Sequence, residues 1–235
     1  MISHGLTISP LGDAAIILNF ENKIDKTLNR EVLYIFHKLK ILALPFVKDI
    51  VPAYSSLVIF YDLLIMKNKN PVNKSSLEIF TEQIKKLMEE DMEISSLRSR
   101  KIKIPVCYAE KYALDINEIS KEKKLPVDEI IRLHTAKKYR VYMIGFLPGF
   151  AYMGEVDEQI AIPRKAQPRT KVEAGSVGIA GMQTGIYPLN SPGGWQIIGK
   201  TPVKLFNKEK DDPVLLQPGD EIEFYSITKD EFTNY

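Results

Sequence analysis

The chain has 235 residues, of which 45% are hydrophobic, so it can bury one large core or two smaller ones. Lys and Arg number 32 against 30 Asp and Glu, and this near-balance gives no sign of a nucleic-acid-binding or membrane-surface protein. No apolar run approaches the roughly 20 residues that span a bilayer, and no secretory leader is evident. The lone Cys107 excludes internal disulfides and cysteine metal clusters. We therefore expect a cytoplasmic globular protein.

The first 96 residues show the apolar patterns of a small α/β sandwich, with helices packed on one sheet. Period-two alternation predicts four strands, and turn residues between the first two indicate that they pair. Two amphipathic helices are predicted, the first capped by Asp25 and the second by Ser75 and Glu78 at capping-box spacing. In chain order we expect strands over 4–9 and 14–20, a helix from 25 to before Pro45, strands over 47–51 and 56–61, a solvated loop over 67–74 and a helix from Ser75.

A second domain is predicted over 97–235, because charged and serine-rich residues without periodicity follow the second helix. Ten of the 13 glycines lie between Gly145 and Gly199, interleaved with prolines and short β-branched runs. Glycine permits corners and bulges while proline ends strands, so this composition predicts a small β-barrel. In chain order we expect a strand over 102–107, helices over 115–124 and 127–134, a strand over 139–145, and only strands and turns thereafter.

A basic segment, IPRKAQPRTK over 162–171, is the sharpest concentration of charge in the chain. It contains Arg164, Lys165, Arg169 and Lys171, and no acidic residue follows until Glu173. Arginine offers a planar fork that matches a carboxylate or phosphate, and the two prolines stiffen the loop. The segment therefore predicts an anion site, with a solvated basic loop as the alternative.

A glycine-rich segment over 175–195 combines close backbone approach with polar side chains. Gln183 can pair with an amide through both its donor and its acceptor, and Trp195 can wall a pocket. Thr184 and Tyr187 add hydroxyl groups to the same segment. The alternative is a set of ordinary β-turns with core aromatic residues.

Two further features could contribute to a site. His134 ends a predicted helix, where the helix dipole favours the charged imidazole, which suits anion contact or proton transfer; a helix cap is the alternative. The segment GFLPGFAYMG over 145–154 places apolar residues in a turn, where they close the barrel core or form a partner surface.

Standard catalytic motifs are missing from the sequence. It contains no GxxxxGK[ST] phosphate loop, no GxSxG elbow and no HExxH motif. The three histidines, His4, His37 and His134, are too scattered to propose a metal site. We therefore expect no self-sufficient catalytic centre and no metal ligands.

Three segments between His134 and Phe224 follow one another in a specific order: HTAKKYRVYMIGFLPGFAYMG, IPRKAQPRTKVEAGSVGIAGMQTGIYPLNSPGGWQIIGKTP and LLQPGDEIEF. In this order they closely resemble one family, variously called the 5-oxoprolinase B subunit, allophanate hydrolase subunit 1 or KipI. Small departures at Met153 and Met182 remove no polar group. The resemblance implies an α+β protein, with an N-terminal α/β sandwich over 1–96 followed by a cyclophilin-like β-barrel over 97–235.

The resemblance implies that the chain is the B subunit of an ATP-dependent 5-oxoprolinase, which opens 5-oxoproline to glutamate together with the A and C subunits. This chain alone is then expected to be inactive and to bind no cofactor, since ATP and Mg belong to the assembled complex. Two alternatives remain open: an inhibitor that binds the dimerisation domain of a sporulation histidine kinase, and a carboxyltransferase-type subunit acting on urea or allophanate. We favour the enzyme subunit because convergent polar groups suit a small amide better than a flat helix surface.

The predicted site divides its residues by role. Arg164 and Arg169 are expected to hold an anionic group, and His134 and Arg164 are the candidate catalytic residues. The remaining substrate-binding candidates are Gln183 and Thr184 for an amide or carbonyl, and Tyr187 and Trp195 as pocket walls.

Overall fold

A computed structural model describes residues 5–68, 74–89 and 99–235, with the side chains of 88 and 89 left out. The chain divides into two compact units, Met1–Arg98 and Ser99–Tyr235. Each unit has its own hydrophobic core. Among the described residues, no helix combines the length and apolar character that crossing a bilayer requires.

The first unit is a four-stranded antiparallel sheet with helices packed on it. Its strands lie in the order β1-β2-β4-β3, and the first two pair from Thr7 opposite Asn19 to Pro10 opposite Ile16. The elements in chain order are β1 (Thr7–Pro10), β2 (Ala15–Asn19), α1 (Lys26–Leu42), β3 (Val47–Pro52), β4 (Ser56–Tyr61), α2 (Leu63–Asn68) and α3 (Ser76–Glu89).

Local sequence signals account for most of the first unit. The carboxylate of Asp25 accepts hydrogen bonds from the N–H groups of Thr27 and Leu28, which confirms the predicted cap of α1. Ser75 and Glu78 form the predicted capping box at α3. The predicted loop over 67–74 is wrong at its start, because residues 67 and 68 end α2; residues 69–73 of that loop and the start of the first predicted strand lie outside the described residues.

The second unit contains most of the strands. Its elements in chain order are β5 (Lys101–Val106), α4 (Ile116–Lys123), α5 (Val127–Thr135), β6 (Lys138–Ile144), β7 (Ala151–Gly154), a 3-10 helix (Glu158–Ile160), β8 (Arg169–Val172), β9 (Ser176–Ala180), β10 (Gln183–Ile186), β11 (Ser191–Gly193), β12 (Gln196–Lys200), β13 (Glu221–Ser226) and α6 (Lys229–Thr233). The expectation of strands and turns alone after 145 is therefore wrong at the 3-10 helix and at α6.

Seven strands of the second unit form one curled sheet in the order β12-β9-β10-β7-β6-β13-β5. Its two edge strands meet at one corner, where the N–H groups of Cys107 and Lys200 donate to each other's carbonyl oxygens at 2.8 and 3.0 Å. Strands β8 and β11 form a separate two-stranded sheet. The larger sheet thus closes on itself at one end, as a half-barrel, and the buried Cys107 lies at this closure.

Different groups of side chains pack on the two faces of the curled sheet. One face packs against α4 and α5 in the main core, which includes Ile130, Ile179 and Ile186. The other face carries a smaller, largely aromatic cluster, here called the aromatic cluster, composed of Phe150, Val172, Ala180, Tyr187, Trp195 and Ile197, with Leu147 and Tyr152 packed against it. Consecutive residues of a strand point to opposite faces, so each strand of this sheet contributes to both.

Candidate functional site

His134 lies in the main core, away from solvent. The Tyr108 hydroxyl lies 2.8 Å from His134 Nδ1, and Thr184 Oγ1 lies 3.0 Å from His134 Nε2. The Thr184 hydroxyl also lies 3.1 Å from the carbonyl oxygen of Gly178, which can only accept, so Thr184 donates to Gly178. Thr184 then accepts from Nε2–H of His134, and Nδ1 accepts from the Tyr108 hydroxyl. His134 is therefore the Nε2–H tautomer within a directed chain of hydrogen bonds.

Burial lowers the pKa of His134 from 6.5 to about 3. The imidazole is therefore neutral near pH 7, and the expectation of a charged imidazole at the end of α5 is wrong. The favourable helix-dipole term, typically below about 1 kcal/mol, cannot offset the desolvation of a fully buried cation. His134 can position β9 and β10 through Thr184, but it does not face solvent where a ligand would enter.

Arg169 and Lys165 are held by a carboxylate that no sequence pattern singles out. Asp115 is fully buried, and Lys165 Nζ lies 2.9 Å from its Oδ1 while Arg169 Nη1 lies 2.9 Å from its Oδ2. A second Arg169 nitrogen binds Oδ1, and the N–H of Ile197 donates to Oδ2 at 2.6 Å. The guanidinium fork of Arg169 is thus engaged in a bidentate pair, so its predicted role of holding an anionic ligand does not agree with the geometry.

The ionised form of Asp115 is stabilised by these contacts. Burial opposes ionisation, but the hydrogen bonds from Arg169, the Ile197 N–H and Lys165 outweigh it and leave the pKa of Asp115 below its ordinary value. The hydrogen bond with Asp115 in turn raises the pKa of Lys165. This cluster joins the start of α4 to β8 and β12, and it fixes the basic segment at Lys165 and Arg169.

Arg164 directly precedes the anchored Lys165, and its own side chain is exposed. The backbone on either side is fixed, because the Lys165 N–H donates to the carbonyl of Gly194 at 2.7 Å and the Gln196 amide donates to the carbonyl of Pro163 at 3.3 Å. Across the described ranges, Arg164 has no carboxylate within salt-bridge distance, so its guanidinium is free. The guanidinium carbon lies 6.0 Å from the centre of the Trp195 ring, which places the cation over an aromatic face.

Two glycines make room for the Trp195 indole on the sheet. A Cβ at Gly178 would lie 3.1 Å from Trp195 Cβ, and one at Gly185 would lie 3.0 Å from Trp195 Cζ3. Gly185 pairs with Gly178 on one side and with Tyr152 on the other, so the three residues share a face. The glycine density of this segment therefore serves close packing of an aromatic ring on the strands.

Tyr187 and Trp195 form the base of the aromatic cluster. Both are at least 95% buried, and Phe150 lies edge-on to each, with ring centres 5.2 and 5.3 Å apart. Burial raises the pKa of Tyr187, although its oxygen accepts a hydrogen bond from the Trp195 backbone N–H. The predicted role of these two residues in a pocket stays a prediction, and on the more exposed side the partly exposed Tyr152 lies 5.9 Å from the Trp195 ring.

Gln183 and Thr184 lie on opposite faces of β10. Thr184 pairs with Met153 and Ile179 and is buried in the main core, whereas Gln183 pairs with Ala180 on the face of the aromatic cluster. Adjacent strand residues alternate in direction, so the two cannot bind one small carbonyl together. Gln183 is partly exposed and stays a candidate for amide recognition.

A candidate site follows from these positions, and we call it the arginine shelf: Tyr152, Arg164 and Gln183 on one face of the sheet, above the buried base of Tyr187 and Trp195. It offers a free cation, a phenol, a carboxamide and an aromatic base. These groups can orient a small planar anion, but they include no nucleophile with an adjacent base. Within the described residues, no three His, Cys, Asp or Glu side chains cluster closely enough to hold a metal ion.

A second surface feature lies elsewhere on this unit. A groove of about 740 Å³ is lined by Lys103, Thr135, Ala136, Lys137, Lys138, Glu223, Phe224 and Tyr225, none of which is a site residue predicted from the sequence. Among the lining residues Lys138 pairs with Glu223 at 2.9 Å and lowers the pKa of that carboxyl, and Lys103 and Lys101 lower it further. Its cations are therefore largely arranged around a carboxylate of the same sheet.

Comparison with known proteins identifies related chains along most of the sequence. The model of the family "Carboxyltransferase domain, subdomain C and D" matches residues 6–216. The 5-oxoprolinase B subunit of Bacillus subtilis (strain 168) is 38% identical over 97% of this chain and 95% of its own length. The 5-oxoprolinase B subunit of Escherichia coli O157:H7 is 34% identical over 91% of this chain and 93% of its own.

Solved structures of similar fold include longer proteins. TTHA0988 superposes with a TM-score of 0.78 at 34% identity over 91% of this chain, which spans only 40% of that protein. The urea amidolyase of K. lactis superposes with a TM-score of 0.72 over 97% of this chain and 15% of that protein, at 18% identity, and shares the fold. The mixed α/β architecture with a curled sheet therefore agrees with these neighbours.

Proposed function

The chain belongs to the family of 5-oxoprolinase B subunits, and we propose that it acts in an ATP-dependent complex that opens 5-oxoproline to glutamate. Two bacterial relatives of this name align over more than nine-tenths of the chain. The second unit, in this proposal, is a cyclophilin-like barrel that carries the substrate surface. Its sheet curls until the edge strands meet, which supports a barrel of this type.

One observation carries the proposal: the backbone on either side of Arg164 is fixed while its own guanidinium is free. An unpaired arginine on a fixed loop, on the same face as a carboxamide and a phenol, suits a small molecule that has one carboxylate and one amide. The substrate 5-oxoproline has these two groups on a five-membered ring. We place its carboxylate on Arg164 and its lactam amide on Gln183, with Tyr152 beside it.

The other predicted site residues have supporting roles in this proposal. Arg169 fixes the basic segment through Asp115, and His134 with Thr184 positions the strands beneath the shelf. Tyr187 and Trp195 form the apolar base over which the arginine lies. Of the two arginines predicted to hold an anionic group, Arg164 is the one that binds the substrate carboxylate.

In this proposal the assembled complex, rather than this chain alone, binds and hydrolyses ATP. Opening the lactam consumes one water and hydrolysis of ATP a second, yielding glutamate, ADP and phosphate. The arginine shelf contains no group that would activate either water, which supports partnership with the A and C subunits and a dependence on them for activity. ATP and Mg are assigned to the assembled complex.

The direct test is ATP-dependent conversion of 5-oxoproline to glutamate by the purified A and C subunits, with and without this chain. We expect glutamate to form only when all three are present. An assembled complex that forms no glutamate would overturn the proposal and favour a histidine-kinase inhibitor, and turnover of urea or allophanate instead would favour the carboxyltransferase alternative.

Substitution of Arg164 tests the shelf itself. A charge-assisted hydrogen bond contributes about 1.5–3 kcal/mol, so Arg164→Ala should lower kcat/KM for 5-oxoproline by about 10- to 150-fold, with partial recovery in Arg164→Lys. Arg132→Ala is the matched control, because Arg132 is exposed on α5 and pairs with Glu129 away from the shelf. Normal turnover by Arg164→Ala would remove this residue from the site.

A further inference from the structure

Phe146 has an unusual backbone conformation for an aromatic residue. It lies in the loop between β6 and β7 with φ at 65°, and its side chain is 61% exposed. In the left-handed region the Cβ of an L-residue crowds the following carbonyl, which glycine avoids. In the same loop Gly149 occupies this region with φ at 84°. The chain thus keeps a bulky, solvent-facing ring at a position where glycine would fit with less strain.

The loop around Phe146 is closely fixed by backbone hydrogen bonds. The Gly145 N–H donates to the carbonyl of Phe150 at 3.1 Å, and the Phe150 N–H donates to the carbonyl of Leu147 at 3.0 Å. These contacts hold the strained residue in place. Strained residues that the surroundings hold in this way are concentrated at functional sites.

The ring of Phe146 stands at the border of the arginine shelf. It lies edge-on to Phe150 and to Tyr187, with ring centres 5.6 and 6.4 Å apart. Phe150 also contacts Trp195, over whose ring the Arg164 guanidinium lies. The exposed part of the Phe146 ring is therefore an apolar wall on the same aromatic cluster that underlies the free guanidinium.

We propose that Phe146 is a specificity-determining residue that contacts the two ring methylenes of the lactam while Arg164 binds its carboxylate. This inference rests on the proposed function of the shelf. The substrate has one charged group and an apolar ring edge, whereas the product glutamate has a second carboxylate and an ammonium group. An apolar wall beside a single arginine therefore fits the closed lactam and disfavours the opened product.

Paired substitutions separate the ring from the strained backbone. Phe146→Ala and Phe146→Gly both remove the ring, but only glycine relieves the left-handed strain. In the assembled complex we expect both to raise KM for 5-oxoproline about tenfold, as expected for two methylenes that lose contact, with a smaller change in kcat. The Tm of the glycine variant should exceed that of the alanine variant by about 4 °C.

Lys124 provides the matched control for backbone strain. It has φ at 54° and follows α4, away from the arginine shelf. Lys124→Gly should likewise exceed Lys124→Ala in Tm, but both variants should keep the wild-type KM.

Three results would overturn the inference. An unchanged KM in both Phe146 variants of an active complex would remove the ring from substrate recognition. Loss of assembly with the A and C subunits, seen by size-exclusion chromatography, would make Phe146 a docking contact instead. A wild-type complex with no activity would remove the proposed function itself and the inference with it.

Discussion

At the residue scale, expectation and structure differ mainly in the partners and the burial of the polar side chains. His134 ends a helix, whose dipole favours a charged imidazole suited to anion contact or proton transfer. Its ring instead stacks on Phe224 with centres 4.7 Å apart, and Tyr108 and Thr184 occupy both nitrogens. These two partners lie 26 and 50 residues away, so no local pattern could reveal them.

The buried imidazole predicts that the second unit loses stability in mild acid. The unfolded chain protonates His134 near its ordinary pKa of 6.5, while the folded chain keeps it neutral down to a pKa of about 3. The unfolded state therefore binds the extra proton below pH 6.5, and the contribution of this residue should fall by about 1.6 kcal/mol between about pH 6.5 and about pH 5.

Urea unfolding at the two pH values checks this, with fluorescence of Trp195 as the probe because it is the only tryptophan of the chain. His134→Gln keeps a donor for Thr184 but cannot titrate in this range, so its stability should depend less on pH. Equal pH slopes in the two proteins would contradict the assignment.

We expect that substitution of Asp115 lowers the free energy of unfolding of the second unit more than substitution of any other charged residue. Asp115→Asn removes the charge that pairs with Arg169 and Lys165, and breaking a buried ion pair typically costs about 3–5 kcal/mol. Urea unfolding followed by Trp195 fluorescence measures the loss. Glu118→Gln is the control, since Glu118 is an exposed partner of Lys165 and should contribute less than about 1 kcal/mol. Equal losses would show that burial of Asp115 is not the cause.

At the element scale, β10 shows what strand alternation can and cannot predict. Alternation separates residues by face, but both faces of this strand are covered, so neither polarity nor position tells which face is the core. Grouping Gln183 with Thr184 in one binding role, because they are adjacent and polar, is wrong. Their separation follows from the period of two alone, and that signal is present in the sequence.

Substitution at Gly185 tests the close contact between β10 and the Trp195 ring. A Cβ there would lie 3.0 Å from the carbonyl oxygen of Ala151, Phe150 Cζ and Trp195 Cζ3, so Gly185→Ala should destabilise the second unit by about 1–3 kcal/mol. Gly194→Ala is the matched control, because its nearest neighbour would be 3.6 Å away and the change should stay within about 0.5 kcal/mol. Thermal unfolding compares the two, and equal Tm values would contradict the packing account.

Helices are predictable from this sequence where an N-cap precedes a long apolar stripe, as in α1 and α3. The two short helices α2 and α6 carry the same capping signals over fewer turns. Asp62 accepts from the N–H groups of Leu64 and Ile65 at the start of α2, and Thr228 and Glu231 form a capping box at α6. One or two turns give too few apolar repeats for periodicity to decide, so sequence patterns miss both.

At the scale of the whole molecule, the candidate site is predictable only in outline. The basic and glycine-rich segments do converge on the shelf, since Arg164 lies over Trp195. No sequence pattern shows that Arg169 is engaged by Asp115, because the two are 54 residues apart and their pairing depends on the packing of α4. For the same reason, the sequence does not distinguish the paired Arg169 from the free Arg164.

Two cores within one chain predict two separable unfolding transitions. Leu57 is fully buried in the core of the first unit and Ile179 in that of the second. Truncation of such a residue to alanine costs about 2–5 kcal/mol, enough to lower the Tm of its own unit by roughly 10 °C. Calorimetry should show Leu57→Ala shifting one transition and Ile179→Ala the other, and only the second variant should shift the transition seen by Trp195 fluorescence. A shared shift would mean that the units unfold as one cooperative body, and the stability changes predicted for the second unit would then have to be read from the whole chain.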